Sequence, residues 1–165
     1  MKALCFSDSH GNSDAIRRAL NLHPDAEVVF FLGDGLSDLE LFINDKTKAF
    51  LAVRGNCDSS ALLGESFVKK TDSITIEGHR IVFTHGDLYG AKYGLDGLKK
   101  LASDSSADLV LSGHTHQPME KYIPTDDGGY YLFNPGSLAG GYGVKPSYGV
   151  ISIVSGGIVL SHGTL

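Results

Sequence analysis

At 165 residues, with 42% hydrophobic and 20% charged residues, the chain suits one folded domain, spanning 1–165 and burying about 70% of its unfolded surface. The net charge of −5 and the four arginines, Arg17, Arg18, Arg54 and Arg80, argue against an extended nucleic-acid groove. No apolar run approaches the about 20 residues of a membrane span, and two cysteines, Cys5 and Cys57, are too few for a disulfide framework, which points to reduced thiols and a cytoplasmic protein.

The opening MKALCF, too short an apolar stretch for a signal peptide, reads as a first strand over 2–6. Residues 13–21 predict a helix with Ser13 at its N-cap and Ile16, Ala19 and Leu20 on one face. A fully apolar strand, EVVFFLG, follows at 27–33. Next, LSDLELFIND carries Leu36, Leu39, Phe42 and Ile43 at helical spacing, and AFLAVRG at 49–55 is a third strand. Apolar runs alternating with amphipathic helices imply parallel strands covered on both faces. SITIEGHRIVFT then predicts a hairpin turning at Gly78-His79. A helix over 94–103 and a buried strand over 107–113 come next. The last third, GYYLFN, SYGVISIV and GIVLSH, reads as strands with a tight Gly156-Gly157 turn. The expected architecture is two packed mixed sheets with helices on the outside.

Five of these apolar runs end alike, in CFSDSHG, FFLGDG, AVRGNCD, IVFTHGD and LVLSGHTH. Each delivers carboxylate, carboxamide or imidazole groups beside a glycine just past the strand, where ligand sites of α/β sheets lie. Taken singly, each has a plain explanation as a turn or a capping aspartate. Five in succession predict a metal site. The candidate ligands are Asp8, His10, Asp34, Asn56, His85, His114 and His116. Two metals with four protein ligands each need eight positions; seven side chains suffice if Asp34 is shared. Oxygen and nitrogen donors suit manganese, iron, zinc or cobalt better than magnesium or calcium; two divalent ions are expected, manganese first, with nickel a further alternative. Two divalent ions outweigh two aspartates and a hydroxide, so the centre stays positive and suits a phosphate oxygen.

With these motifs in place, the sequence closely resembles the calcineurin-like metallophosphoesterases, and among them the small YfcE-type phosphodiesterases. The resemblance runs from Asp8-Ser9-His10 through Gly33-Asp34, Gly55-Asn56, His85-Gly86 and Gly113-His114-Thr115-His116 to Asn134-Pro135-Gly136-Ser137. It implies a four-layer α-β-β-α sandwich of two mixed β-sheets flanked by helices. It also implies one metal on Asp8, His10, Asp34 and His116 and a second on Asp34, Asn56, His85 and His114. Asp34, Asn56 and His10 are the expected catalytic residues, with a metal-bridging hydroxide attacking a small phosphodiester. Arg54, Cys57 and Asn134 are expected beside the substrate.

Two departures stand out. Many relatives carry Gly-Asn-His where this chain has Gly55-Asn56-Cys57, and a neutral thiol is a poor substitute for an imidazolium beside a departing alkoxide. YfcE-type members share the cysteine, which favours diesters. Where relatives have His-Gly-His, this chain has His85-Gly86-Asp87. Asp87 either orients a ligand histidine, tunes access or is a plain loop residue. The alternative function is a protein-interaction scaffold resembling the retromer subunit of the same fold. The resemblance allows a homodimer or homotetramer, and the sequence does not decide between those and a monomer.

Overall fold

The computed structural model describes residues 1–126, 128–141 and 143–165. Its strands are β1 (Lys2–Phe6), β2 (Val28–Phe31), β3 (Ala49–Ala52), β4 (Leu62–Leu63), β5 (Ser66–Phe67), β6 (Thr71–Ile76), β7 (His79–Thr84), β8 (Leu109–Leu111), β9 (Pro118–Thr125), β10 (Gly128–Pro135), β11 (Ser147–Val154) and β12 (Gly157–Thr164). The helices are α1 (Ser13–Leu22), α2 (Leu36–Leu39) and α3 (Asp96–Ser105), with a single 3₁₀ turn at Asp87–Tyr89. One five-stranded sheet has the order β12-β11-β1-β2-β3, the other β6-β7-β8-β10-β9. Both are mixed. In the first, β1, β2 and β3 are parallel; in the second, β7, β8 and β10 are.

Alternation along the central strands builds the layers. In β1, Leu4 and Phe6 face one way, towards Ile16 and Ala19 of α1 and Leu36 and Leu39 of α2. Ala3 and Cys5 face the opposite way, into a layer shared with Phe30, Phe83, Leu109, Leu111 and Phe133. On the far side, Val82, Val110 and Leu132 meet Leu98 and Ala102 of α3. Three apolar interlayers therefore separate helices, sheet, sheet and helix, the expected four-layer sandwich. Both cysteines are free, Cys5 buried between the sheets and Cys57 exposed. Among the described residues no helix is long and apolar enough to cross a membrane.

Several local expectations need correction. The helix expected through 36–45 is one turn. Beyond Leu39 the backbone closes three-residue turns, Phe42 N–H to Leu39 C=O and Asp45 N–H to Phe42 C=O. Further on, the Asp45 carboxylate accepts from both the N–H and the hydroxyl of Thr47 and closes the segment in a local turn. Phe42 and Ile43 still pack on the outer cluster, so their spacing recorded burial rather than helix. The β6–β7 turn falls one residue early, at Glu77 and Gly78, whose φ values of 50° and 85° suit a tight hairpin. The last turn likewise sits at Ser155 and Gly156. Strand β9 was not anticipated. Its charges and two prolines hide the alternation, and its place at the sheet edge tolerates both prolines.

Phe30 is fully buried and meets Phe83 edge-on, with ring centroids 5.4 Å apart, where the two sheets touch. Phe30→Ala should lower unfolding stability by about 3–5 kcal/mol, read as a reduced urea midpoint.

Candidate metal centre

The five ligand-bearing loops leave the carboxyl ends of the parallel strands β1, β2, β3, β7 and β8 and converge between the sheets. Backbone bonds tie them to one another: Asp8 N–H to Gly33 C=O at 3.0 Å, His10 N–H to Asp34 C=O at 3.2 Å, and Gly113 N–H to His85 C=O at 2.9 Å. The approach is close enough to demand glycine. A Cβ on Gly55 would overlap the Asp34 carboxylate, and one on Gly113 would overlap the Ser7 hydroxyl.

All seven candidate ligands come together, in two groups. Asp8, His10 and His116 bring donor atoms within 4.8 Å of one another. His116 Nε2 lies 3.1 Å from Asp8 Oδ1 and 3.3 Å from His10 Nε2. On the other side, His85 Nε2 lies 3.1 Å from Asn56 Oδ1, 3.1 Å from His114 Nδ1 and 3.3 Å from Asp34 Oδ2. Asp34 also falls within 4.8 Å of His10 in a group with Cys57, and of Asp8 and His85 in another, so its carboxylate stands between the two sides. Asp8 Oδ1 is buried without a hydrogen-bond partner among the described residues. An orphaned buried carboxylate oxygen facing imidazole nitrogens is an arrangement a cation completes, so the donor set fits divalent metal.

Each donor is aimed by a neighbour. His85 Nδ1 donates to the Leu32 carbonyl at 2.8 Å, which leaves Nε2 facing the cluster. Asp8 Oδ2 accepts from the Ser7 hydroxyl and from the His114 N–H at 3.0 Å. Burial disfavours ionised Asp34, but the bonds from His85 and from the Cys57 N–H outweigh it and hold its carboxyl well below the usual range. Burial likewise disfavours charged His85, yet Asp34 and Asp8 raise its pKa above the ordinary value. A proton on His85 therefore competes with metal, and affinity falls as pH drops through that raised pKa. Burial lowers the pKa of His114, with His85 and Lys92 acting in the same direction.

The other site expectations fare differently. Cys57 stands by Asp34 and His10, its N–H 2.7 Å from Asp34 Oδ1. Burial and the Asp34 carboxylate push its thiol up, so it stays neutral. The Asn134 amide is committed to the ligand loop, donating to the Gly113 carbonyl at 2.8 Å and to Thr115 Oγ1 at 3.1 Å. Arg54 borders none of the cavities touching the cluster, and its Nε is buried without a partner among the described residues. Asp87 pairs with Lys70 at 2.8 Å rather than with a ligand histidine, and Lys70 also reaches the Gly55 carbonyl at 3.4 Å.

Two features escaped the sequence reading. Asp8, His10, Asp34, His114 and His116 all have left-handed backbone, with φ from 44° to 69°, a conformation non-glycine residues hold only where surroundings enforce it. Asp58 accepts four backbone N–H groups, from Asp34, Gly35, Leu36 and Gly55, at 2.7–2.9 Å. Its position inside Gly-Asn-Cys-Asp was the one available signal.

An oxygen- and nitrogen-donor cluster at converging strand ends of a double-sheet sandwich defines a metal-dependent hydrolase class. Residues 1–156 match the profile of the calcineurin-like phosphoesterase superfamily domain, and the chain belongs to that family. It is 30% identical over 171 residues to a protein named phosphodiesterase YfcE from Escherichia coli K12, covering 92% of this chain and 87% of that one. The fold is shared with an archaeal phosphodiesterase at 23% identity and TM-score 0.76, covering 98% and 99% of the two chains. It is also shared with zinc-complexed Vps29 from Entamoeba histolytica, at 20% identity and TM-score 0.71, covering 99% of each.

Asp58→Asn would turn an amide N–H₂ towards backbone donors. Titration calorimetry with Mn²⁺ should find affinity lowered about 10- to 100-fold, the range typical when a residue that orients ligands is changed. Unchanged affinity would dismiss Asp58 as the clamp.

Proposed function

We propose that this chain is a phosphodiesterase for small substrates that works with two divalent ions, manganese first among them. The observation that carries this reading is Asp34, whose buried carboxylate stands between two donor groups and is held anionic by His85 and the Cys57 N–H. Asp8, His10 and His116 would hold one ion, and Asn56, His85 and His114 the other. When bound, the ions supply polarisation of the phosphoryl oxygens and water acidic enough to attack phosphorus.

The protein's own contribution is positioning. Asp58, Asn134 and the Leu32 carbonyl fix the loops and the His85 ring before substrate arrives, which is how preorganised charge lowers a barrier. Beside the cluster lies a cavity of about 350 Å³ bordered by His10 and Cys57. The neutral Cys57 thiol is a weaker proton donor to a departing alkoxide than an imidazolium would be, which favours a stable leaving group and the singly charged diester over the dianionic monoester.

The scaffold reading draws on the shared fold with Vps29, and the zinc complex of that relative means that metal binding alone does not separate the two. Turnover does. Metal-stripped protein restored with Mn²⁺ should hydrolyse bis-p-nitrophenyl phosphate and turn over p-nitrophenyl phosphate weakly. Asp34→Asn should lose more than the about 100-fold typical of changes outside the ligand set. Strong monoester turnover would overturn the diester preference. Two bound ions with no turnover of either compound, in Mn²⁺, Zn²⁺, Ni²⁺ or Co²⁺, would favour the scaffold.

A further inference from the structure

The cluster has two flanks of opposite charge. On the His10 flank, the cavity of about 350 Å³ is bordered by Asp34, Glu40 and Asp58, with the serines Ser37, Ser59 and Ser60. No cation is among its described lining residues. The His114 flank holds a cavity of about 380 Å³ bordered by His114, His116 and Lys92. It adjoins another of about 710 Å³, and the two share Lys92, Thr115 and Gln117. Neither has a carboxylate among its described lining residues. The larger cavity has an apolar side formed by Leu95, Leu98 and Met119. Lys92 is exposed and forms no ion pair among the described residues, whereas Lys70 is committed to Asp87 at 2.8 Å.

Resting on the diesterase reading, we infer that the His114 flank is a subsite for one ester arm of the substrate, an arm with an apolar body and an anionic group of its own that Lys92 reads. The other arm, uncharged and hydroxyl-bearing, leaves along the His10 flank. Attraction and repulsion act together here. Lys92 draws the anion to one side, while Glu40 and Asp58 disfavour it on the other, so the charge of each arm sets the orientation of the diester. The apolar side shelters the body of the arm from water, and the Thr115 hydroxyl and Gln117 amide offer polar contacts along the way.

The test uses two diesters with the same p-nitrophenyl leaving group, one with phenyl and one with 4-carboxyphenyl as the retained arm. The matching benzyl(methyl)phosphinates, with and without a 4-carboxyl group, have carbon in place of both ester oxygens and serve as non-hydrolysable probes in titration calorimetry. Wild-type protein should favour the carboxyphenyl compounds about three- to fivefold in kcat/KM and in Kd, the scale of one exposed charge pair. Lys92→Glu, with its metal content matched to wild type, should abolish or invert that ratio. A wild-type ratio of one, or a ratio that Lys92→Glu leaves unmoved, would overturn the inference while the diesterase reading stands. If neither diester is hydrolysed, the diesterase reading fails, and the ratio of phosphinate Kd values alone then judges the subsite.

Discussion

Four backbone N–H groups from two loops converge on the Asp58 carboxylate, and the rest of the centre depends on that convergence. The loops after β2 and β3 carry Asp34 and Asn56, donors that must stand together although 22 residues separate them. A carboxylate accepts from all four N–H groups at once, which no neutral side chain does as well. With the loops locked, Gly55 packs against the Asp34 carboxylate with no room for a Cβ. The Cys57 N–H then reaches the same carboxylate. The second sheet is tied in through His85, whose ring bonds the Leu32 carbonyl of the first. Two separately hydrogen-bonded sheets thus meet in one rigid donor set.

The same economy explains the strain. Five donors sit on left-handed backbone, a conformation that turns the chain sharply so that residues two apart aim at one point. Asp8 and His10 are such a pair, whereas His114 and His116 are turned to the two different donor groups. Each strained residue costs of order 1–3 kcal/mol, a cost met by three well-filled apolar interlayers rather than by the loops themselves. Stability resides in the sheets, and function in the loops they hold.

Much of this was legible in the sequence, because its signals were chemical. Asp, Asn and His at five strand ends have no role in a core, and their order alone defines the family. The layered fold was legible from apolar runs such as VVFF and from the helix face of Ile16, Ala19 and Leu20. Tertiary bonds left no such trace. Nothing in the spacing of Leu36 to Ile43 discloses that the backbone leaves the helix after Leu39, and the prolines of β9 disguised an edge strand. Nor did Asn134 announce that it holds the Gly113 loop, since a buried amide and a substrate-facing amide look the same in sequence.

The account stands or falls on Asp34 serving both donor groups. Crystals grown with Mn²⁺ and measured for anomalous scattering decide this directly. Two peaks per chain, about 3.5–4 Å apart, one beside Asp8, His10 and His116 and the other beside Asn56, His85 and His114, with Asp34 touching both, are predicted. A single peak, or a pair that Asp34 does not join, would contradict the central claim.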